Sequence, residues 1–183
     1  MPCEITTYFE AFHPNILGDR TGVQMASGQI IAAAWKQLRQ FSPDVIVDVG
    51  CGNGVAVAAC AAELKPEKVV LVESRLRMDP WGGGDVAEGL VKSLGFETEL
   101  MSPERMASRQ CDLLMSGLAW CDHEPPPLLL RFARDSLRDR GLMILMVKRS
   151  LVKQVPGFEN FFVIQELSGG DVVAAIYKRS NQK

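Results

Sequence analysis

The sequence predicts an α/β domain: a mainly parallel sheet covered by helices on both faces. Two observations predict it. Short β-branched apolar runs alternate with helical stretches at the pace of βαβ units. A glycine-rich turn joins the first of these runs directly to a helix. The chain has 183 residues, 47% of them hydrophobic and 23% charged, which suits one domain, 1–183, with a core of its own. Within it, 1–43 reads as an N-terminal segment and helix, and 44–178 as the alternating core.

Each element has its own signal. Ile30, Ile31, Trp35 and Leu38 recur at helical spacing and predict a helix from Gly22 to Gln40, broken by Ser42-Pro43-Asp44. Val45–Val49 is a strand buried on both faces. Val55–Leu64 is an Ala-rich helix that stops at Lys65-Pro66. Val69–Val72 is a second strand, and Asp85–Leu94 a helix ended by Gly95. Thr98–Met101 and Asp112–Met115 give strands three and four. Pro125-Pro126-Pro127 opens a helix that runs to about Arg138, since proline suits a first turn. Asp139-Arg140-Gly141 turns the chain into a fifth strand, Leu142–Val147. Phe161–Gln165 and Val172–Tyr177 form an antiparallel pair joined by Ser168-Gly169-Gly170.

Composition narrows the setting. No apolar run reaches the ~20 residues that span a bilayer, so no membrane partner is expected. The start, Met1-Pro2-Cys3-Glu4, reads as lacking a signal peptide. Five cysteines without paired spacing read as reduced thiols, which predicts a cytoplasmic setting. Net charge is −2, but from Arg131 onward ten Lys/Arg stand against five Asp/Glu. That basic end is either a solvated surface or a rim facing an anionic acceptor such as RNA.

The glycine turn carries the chemistry. Val47-Asp48-Val49-Gly50-Cys51-Gly52-Asn53-Gly54 places three glycines at alternate positions between strand and helix. They permit a sharp bend and leave no Cβ to block a ligand. The bend ends at a helix N-terminus, which favours negative charge. A dinucleotide loop wants G-x-G-x-x-G, and its third glycine would fall on Val55. The register here is G-x-G-x-G, with Asp48 at the strand tip. An acid there would repel a pyrophosphate but can accept from an ammonium, as S-adenosylmethionine carries. The next strand ends at Glu73, placed to accept both hydroxyls of a ribose.

On these residues the chain resembles the class I S-adenosylmethionine-dependent methyltransferases, which are Rossmann-like. Val47–Gly54 resembles their motif I, and Val70–Glu73 the acidic strand end that follows. The order of elements from Asp44 to Tyr177 is also similar. The resemblance implies a doubly wound seven-stranded sheet of order 3-2-1-4-5-7-6, with strand 7 antiparallel. It implies S-adenosylmethionine as cofactor across the C-terminal ends of strands 1, 2 and 4. Cofactor contacts are then expected from Asp48, Gly50, Cys51, Gly52, Asn53, Gly54 and Glu73. Further contacts are expected from Ser102 after strand 3, and from Ser116 and Gly117 after strand 4. Trp120 either stacks on a ligand ring or fills the core.

Methyl transfer from a sulfonium is an in-line displacement that needs alignment, with or without a base. His123 is a candidate base and Asp122 its partner, or Asp122, His123 and Glu124 cap the next helix. Lys148 ends strand 5. It resembles the second lysine of the Lys-Asp-Lys-Glu tetrad of RNA ribose 2′-hydroxyl methyltransferases. Lys36 would supply the first lysine, and Asp171 or Glu166 the closing acid. Gly117 stands where that family's aspartate should be. The Asn/Asp-Pro-Pro-aromatic motif of nucleobase amino methylation is not matched. Cys111, Cys121 and His123 lack zinc spacing, so no metal is expected. The segment Tyr8–Arg20, with His13 and Asp19, is either a lid or simple packing. The expected activity is methyl transfer to RNA or to a small molecule. The alternative is a noncatalytic cofactor-binding or scaffold subunit. A narrow apolar pocket would point to a small molecule, and an open basic trough to nucleic acid.

Overall fold

Strands that are covered on two sides need apolar side chains at every position, and this sheet shows why. The computed structural model describes residues 20–74, 83–106, 110–163 and 170–180. The helices are α1 (Arg20–Leu38), α2 (Val55–Leu64), α3 (Gly84–Ser93) and α4 (Pro127–Ser136). The strands are β1 (Val45–Val49), β2 (Lys68–Val72), β3 (Glu97–Met101), β4 (Cys111–Ser116), β5 (Leu137–Lys148), β6 (Phe158–Val163) and β7 (Val172–Arg179). They form one seven-stranded sheet in the order β3-β2-β1-β4-β5-β7-β6. β3 to β5 run parallel, and β7 is antiparallel to both its neighbours. This is the topology that the resemblance implied.

Successive strand residues feed two separate cores. Ile46, Val69, Leu71, Leu113 and Ile144 pack under α1, α2 and α3. Val47, Val70, Val72, Leu114 and Met143 pack on the other face, with Leu129, Phe132 and Ala133 of α4. Burial of each such side chain contributes about 1.5–3 kcal/mol. Trp35 is fully buried, and its Nε1 donates to the Phe41 carbonyl at 2.8 Å, which folds the chain back after α1.

A charged lock ties the lower edge of the sheet. The Asp112 carboxylate accepts from the backbone N–H of Asp44 (2.9 Å) and of Val45 (3.0 Å). Arg138 donates to Asp112 and to Asp44, each at 3.0 Å. This lock accounts for one correction. Asp139-Arg140-Gly141, expected as a turn, lies inside β5 as an irregularity. Cys111 pairs with Leu137, and Leu113 already pairs with Leu142. Anchoring Arg138 under β4 draws the start of β5 back to Leu137. A second correction concerns β6, which begins at Phe158 rather than Phe161. Phe158 is buried and seats the strand, whereas the apolar run at Phe161 and Phe162 is largely exposed. The expected lid at Tyr8–Asp19, Glu166, and the Ser168-Gly169 part of the final turn lie outside the described residues.

Candidate active site

The crossing from β1 to α2 occupies residues 50–54. Gly50, Gly52 and Gly54 all adopt positive φ, at 73°, 55° and 80°. Residues with a Cβ rarely enter that region. At Gly54 an added Cβ would lie 2.7 Å from Ala87 of α3, so glycine also lets the two helices close. At Gly52 nothing lies within 4 Å of that position. The bend is stitched to its surroundings. Gly50 N–H donates to the Val72 carbonyl at 2.8 Å. Gly52 N–H donates to Glu73 Oε2 at 2.9 Å, and Ser74 Oγ donates to Glu73 Oε1 at 3.1 Å. Asn53 Oδ1 accepts from Val55 N–H at 3.3 Å, tightening the bend before α2, while its Nδ2 donates to Gln24 Oε1 at 3.1 Å.

Above this bend opens a cavity of about 1020 Å³ at the C-terminal ends of β1, β2 and β4. Asp48 and Glu73 both line it, with 1% and 6% of their surfaces exposed. Asp48 Oδ1 has no hydrogen-bond partner among the described residues. Burial, and then the Glu73 carboxylate beside it, pushes the Asp48 carboxyl up to about 8. A buried oxygen without a partner is costly unless a ligand supplies a donor.

Solved structures share this arrangement of elements. The S-adenosylhomocysteine-bound methyltransferase PaMTH1 of Podospora anserina matches 99% of this chain and 89% of its own, at 13% identity and a TM-score of 0.58. The mitomycin 7-O-methyltransferase MmcR matches 86% of this chain at 14% identity and a TM-score of 0.61. This chain spans about half of that protein's length, 54%. A mutant of MtNAS in complex with S-adenosylmethionine matches 87% of this chain and 73% of its own, at 12% identity and a TM-score of 0.57. No protein-family model and no curated protein matches the sequence. The fold is that of the class I methyltransferases.

Within this methyltransferase fold the sequence-predicted residues divide into two groups. Asp48, Gly50, Cys51, Gly52, Asn53, Glu73, Gly117 and Asp122 line the cavity. Gly54 starts α2 just behind it. Ser116 lies buried beneath the wall, its Oγ without a partner among the described residues. Ser102 is not on the wall. It begins a short 3₁₀ turn whose Pro103, with Met106 after it, reaches the cavity instead.

The proposed catalytic residues are not brought together as a set. Lys36 sits near the C-terminal end of α1 and pairs with Glu63 at 2.7 Å, beside a smaller cavity of about 300 Å³. It does not line the large cavity, because α1 presents its other end there, through Val23 and Gln24. Lys148 forms an ion pair with Asp122, and its N–H donates to the Cys121 carbonyl at 2.9 Å. The Lys148 ammonium holds the Asp122 carboxyl below its ordinary range. His123 is exposed and off the cavity wall. Trp120 is on the cavity wall and is also packed against the core beneath α4. Sequence reading missed Val23, Gln24, Met106, Leu128 and Leu129. Gln24 and Leu128 had no motif to mark them, although the proximity of Leu128 to the Pro125–Pro127 turn was a usable signal.

Proposed function

We propose that this chain binds S-adenosylmethionine in the large cavity and directs its methyl group to an acceptor in the same space. The observation that carries the reading is Asp48: a buried carboxyl group with an oxygen that has no partner among the described residues, in the lining of a cavity floored by a left-handed glycine bend. A cation is what that oxygen lacks, and the cofactor's ammonium is one. Glu73 holds the bend through Gly52 and brings its carboxylate to the cavity wall, where ribose hydroxyls would lie. Pro103 and Met106 supply an apolar surface for a purine. When bound, S-adenosylmethionine supplies an electrophilic methyl group on a sulfonium.

The residues of this chain then act by positioning. Leu118, Ala119 and Trp120 follow β4 and border the place where donor and acceptor must meet. Asp122 is a weak base while Lys148 holds it, so alignment rather than proton removal is the main contribution. The tetrad reading of an RNA ribose acceptor is left with Lys148 and a displaced aspartate, since Lys36 lies at the far end of α1. Binding without turnover is the second reading, and turnover of labelled cofactor separates it from the first.

Calorimetric titration with S-adenosylhomocysteine tests the proposal. Micromolar binding is expected, weakened at least tenfold by Glu73→Ala, which removes about 1.4 kcal/mol or more. No heat and no thermal shift would overturn it. Labelled cofactor incubated with small-molecule and RNA pools separates catalysis from binding alone.

A further inference from the structure

The cavity has two unlike halves. The half formed by the glycine bend and the β1 and β2 ends is polar, with Asp48, Asn53, Glu73 and Ser74. The other half, formed after β4 and at the start of α4, carries Leu118, Ala119, Trp120, Pro126, Leu128 and Leu129. A volume of about 1020 Å³ is at the upper end of the roughly 300–1,000 Å³ usual for small-molecule sites. One ligand in the polar half therefore leaves space for a second beside it.

Charge identifies what that second space accepts. The described lining residues include three carboxylates, Asp48, Glu73 and Asp122, and no Lys, Arg or His. Phosphate recognition needs cations that face the ligand. Lys148, at the end of β5, is already paired with Asp122. Trp120 lines the wall with part of its indole, while its Nε1 is buried and has no acceptor among the described residues. Leu128 is 56% exposed at the rim, although it opens a helix whose next residue, Leu129, is buried. Leu128 thus extends the apolar lining of Leu118, Pro126 and Leu129 out to the mouth of the pocket.

We infer that the half-cavity bounded by Leu118, Trp120, Pro126 and Leu128 binds an uncharged aromatic small molecule. This names the acceptor class for the proposed methyl transfer and rests on that reading for the role of the polar half. The ring lies against Trp120 and the leucines, where burial of apolar area supplies most of the affinity.

The test uses the full chain and 1-naphthol as the probe, followed by its fluorescence, with and without saturating S-adenosylhomocysteine. Saturable binding is expected in both conditions. Leu128→Asp should weaken it about tenfold, because a charge at the rim opposes burial. Phe162→Asp, on an exposed face of β6, should leave it unchanged and exposes any non-specific adsorption. Absence of saturable binding, equal losses in the two variants, or displacement of 1-naphthol by a 20-nucleotide RNA would each overturn the inference. Titration with S-adenosylhomocysteine alone separates the two claims. Cofactor-product binding without naphthol binding sinks the acceptor class only. Naphthol binding without cofactor-product binding supports the aromatic compartment and sinks the methyl-transfer reading.

Discussion

Asp48 is the residue on which pH should act. It is buried, it faces Glu73, and its carboxyl is raised from 3.8 to about 8. The unfolded chain ionises this group near 4, whereas the folded chain keeps it protonated until about 8. The stability it contributes is therefore complete below pH 4 and is lost as pH climbs through 8. Asp48→Asn removes that loss, so the variant should melt at the same temperature as the wild type near pH 4 and several degrees higher at pH 8.5. A cationic ligand wants the opposite state. Affinity for S-adenosylhomocysteine should rise with pH between 6.5 and 8.5, with proton release visible as a buffer-dependent binding heat. Asp48→Asn should flatten that rise and weaken binding at least tenfold. A wild-type affinity independent of pH over this range would show that Asp48 does not meet the ligand.

The lower edge of the sheet and the cavity wall are built by different kinds of contact. Asp112 joins β4 to β1 through two backbone N–H groups and binds Arg138 of β5. Asp112→Ala would leave both donors and a guanidinium short of an acceptor. We expect a loss of about 2–4 kcal/mol in denaturant unfolding, with cofactor-product affinity unchanged in whatever fraction folds. The segment from Trp120 to Pro126 is held otherwise. Lys148 pairs with Asp122 and Lys153 with Glu124, both at exposed positions. Solvent screens such exposed pairs, and they weaken further with salt. They hold the wall in place rather than the fold together.

Across the molecule, the cavity lies where β1 leaves toward β2 and β4 begins the other half of the sheet. That is the switch point of a doubly wound sheet, where adjacent connections depart to opposite faces and cannot fill the crevice. Helices α1, α2 and α3 close one side, and α4 the other. A ligand bound there touches residues from both halves and should stabilise the whole sheet. At a hundredfold excess over its Kd, S-adenosylhomocysteine should add about 2.7 kcal/mol, a rise of about 5–10 °C in Tm by differential scanning fluorimetry. An unchanged melt at that excess would argue that the crevice is not the binding place.

Local sequence carried the elements and the bend. β-branched runs such as Val45–Val49 and Val69–Val72 have one reasonable fate, because only a strand buried on both faces uses so many apolar residues in a row. The spacing Gly50, Gly52, Gly54 between such a run and an Ala-rich helix likewise has few geometries open to it, and Asp48 and Glu73 follow from where the strands stop. The edges of β5 and β6 were not legible, since the Arg138 lock and the seat of Phe158 are contacts between residues far apart in the chain. The same holds for the second half of the cavity. Gln24 reaches Asn53 across 29 positions, Lys36 points away because of the direction in which α1 crosses the sheet, and Leu128 becomes a rim only once α4 is docked. Backbone conformation is decided by neighbours in sequence. Which side chains share one space is decided by packing, and that required the folded chain.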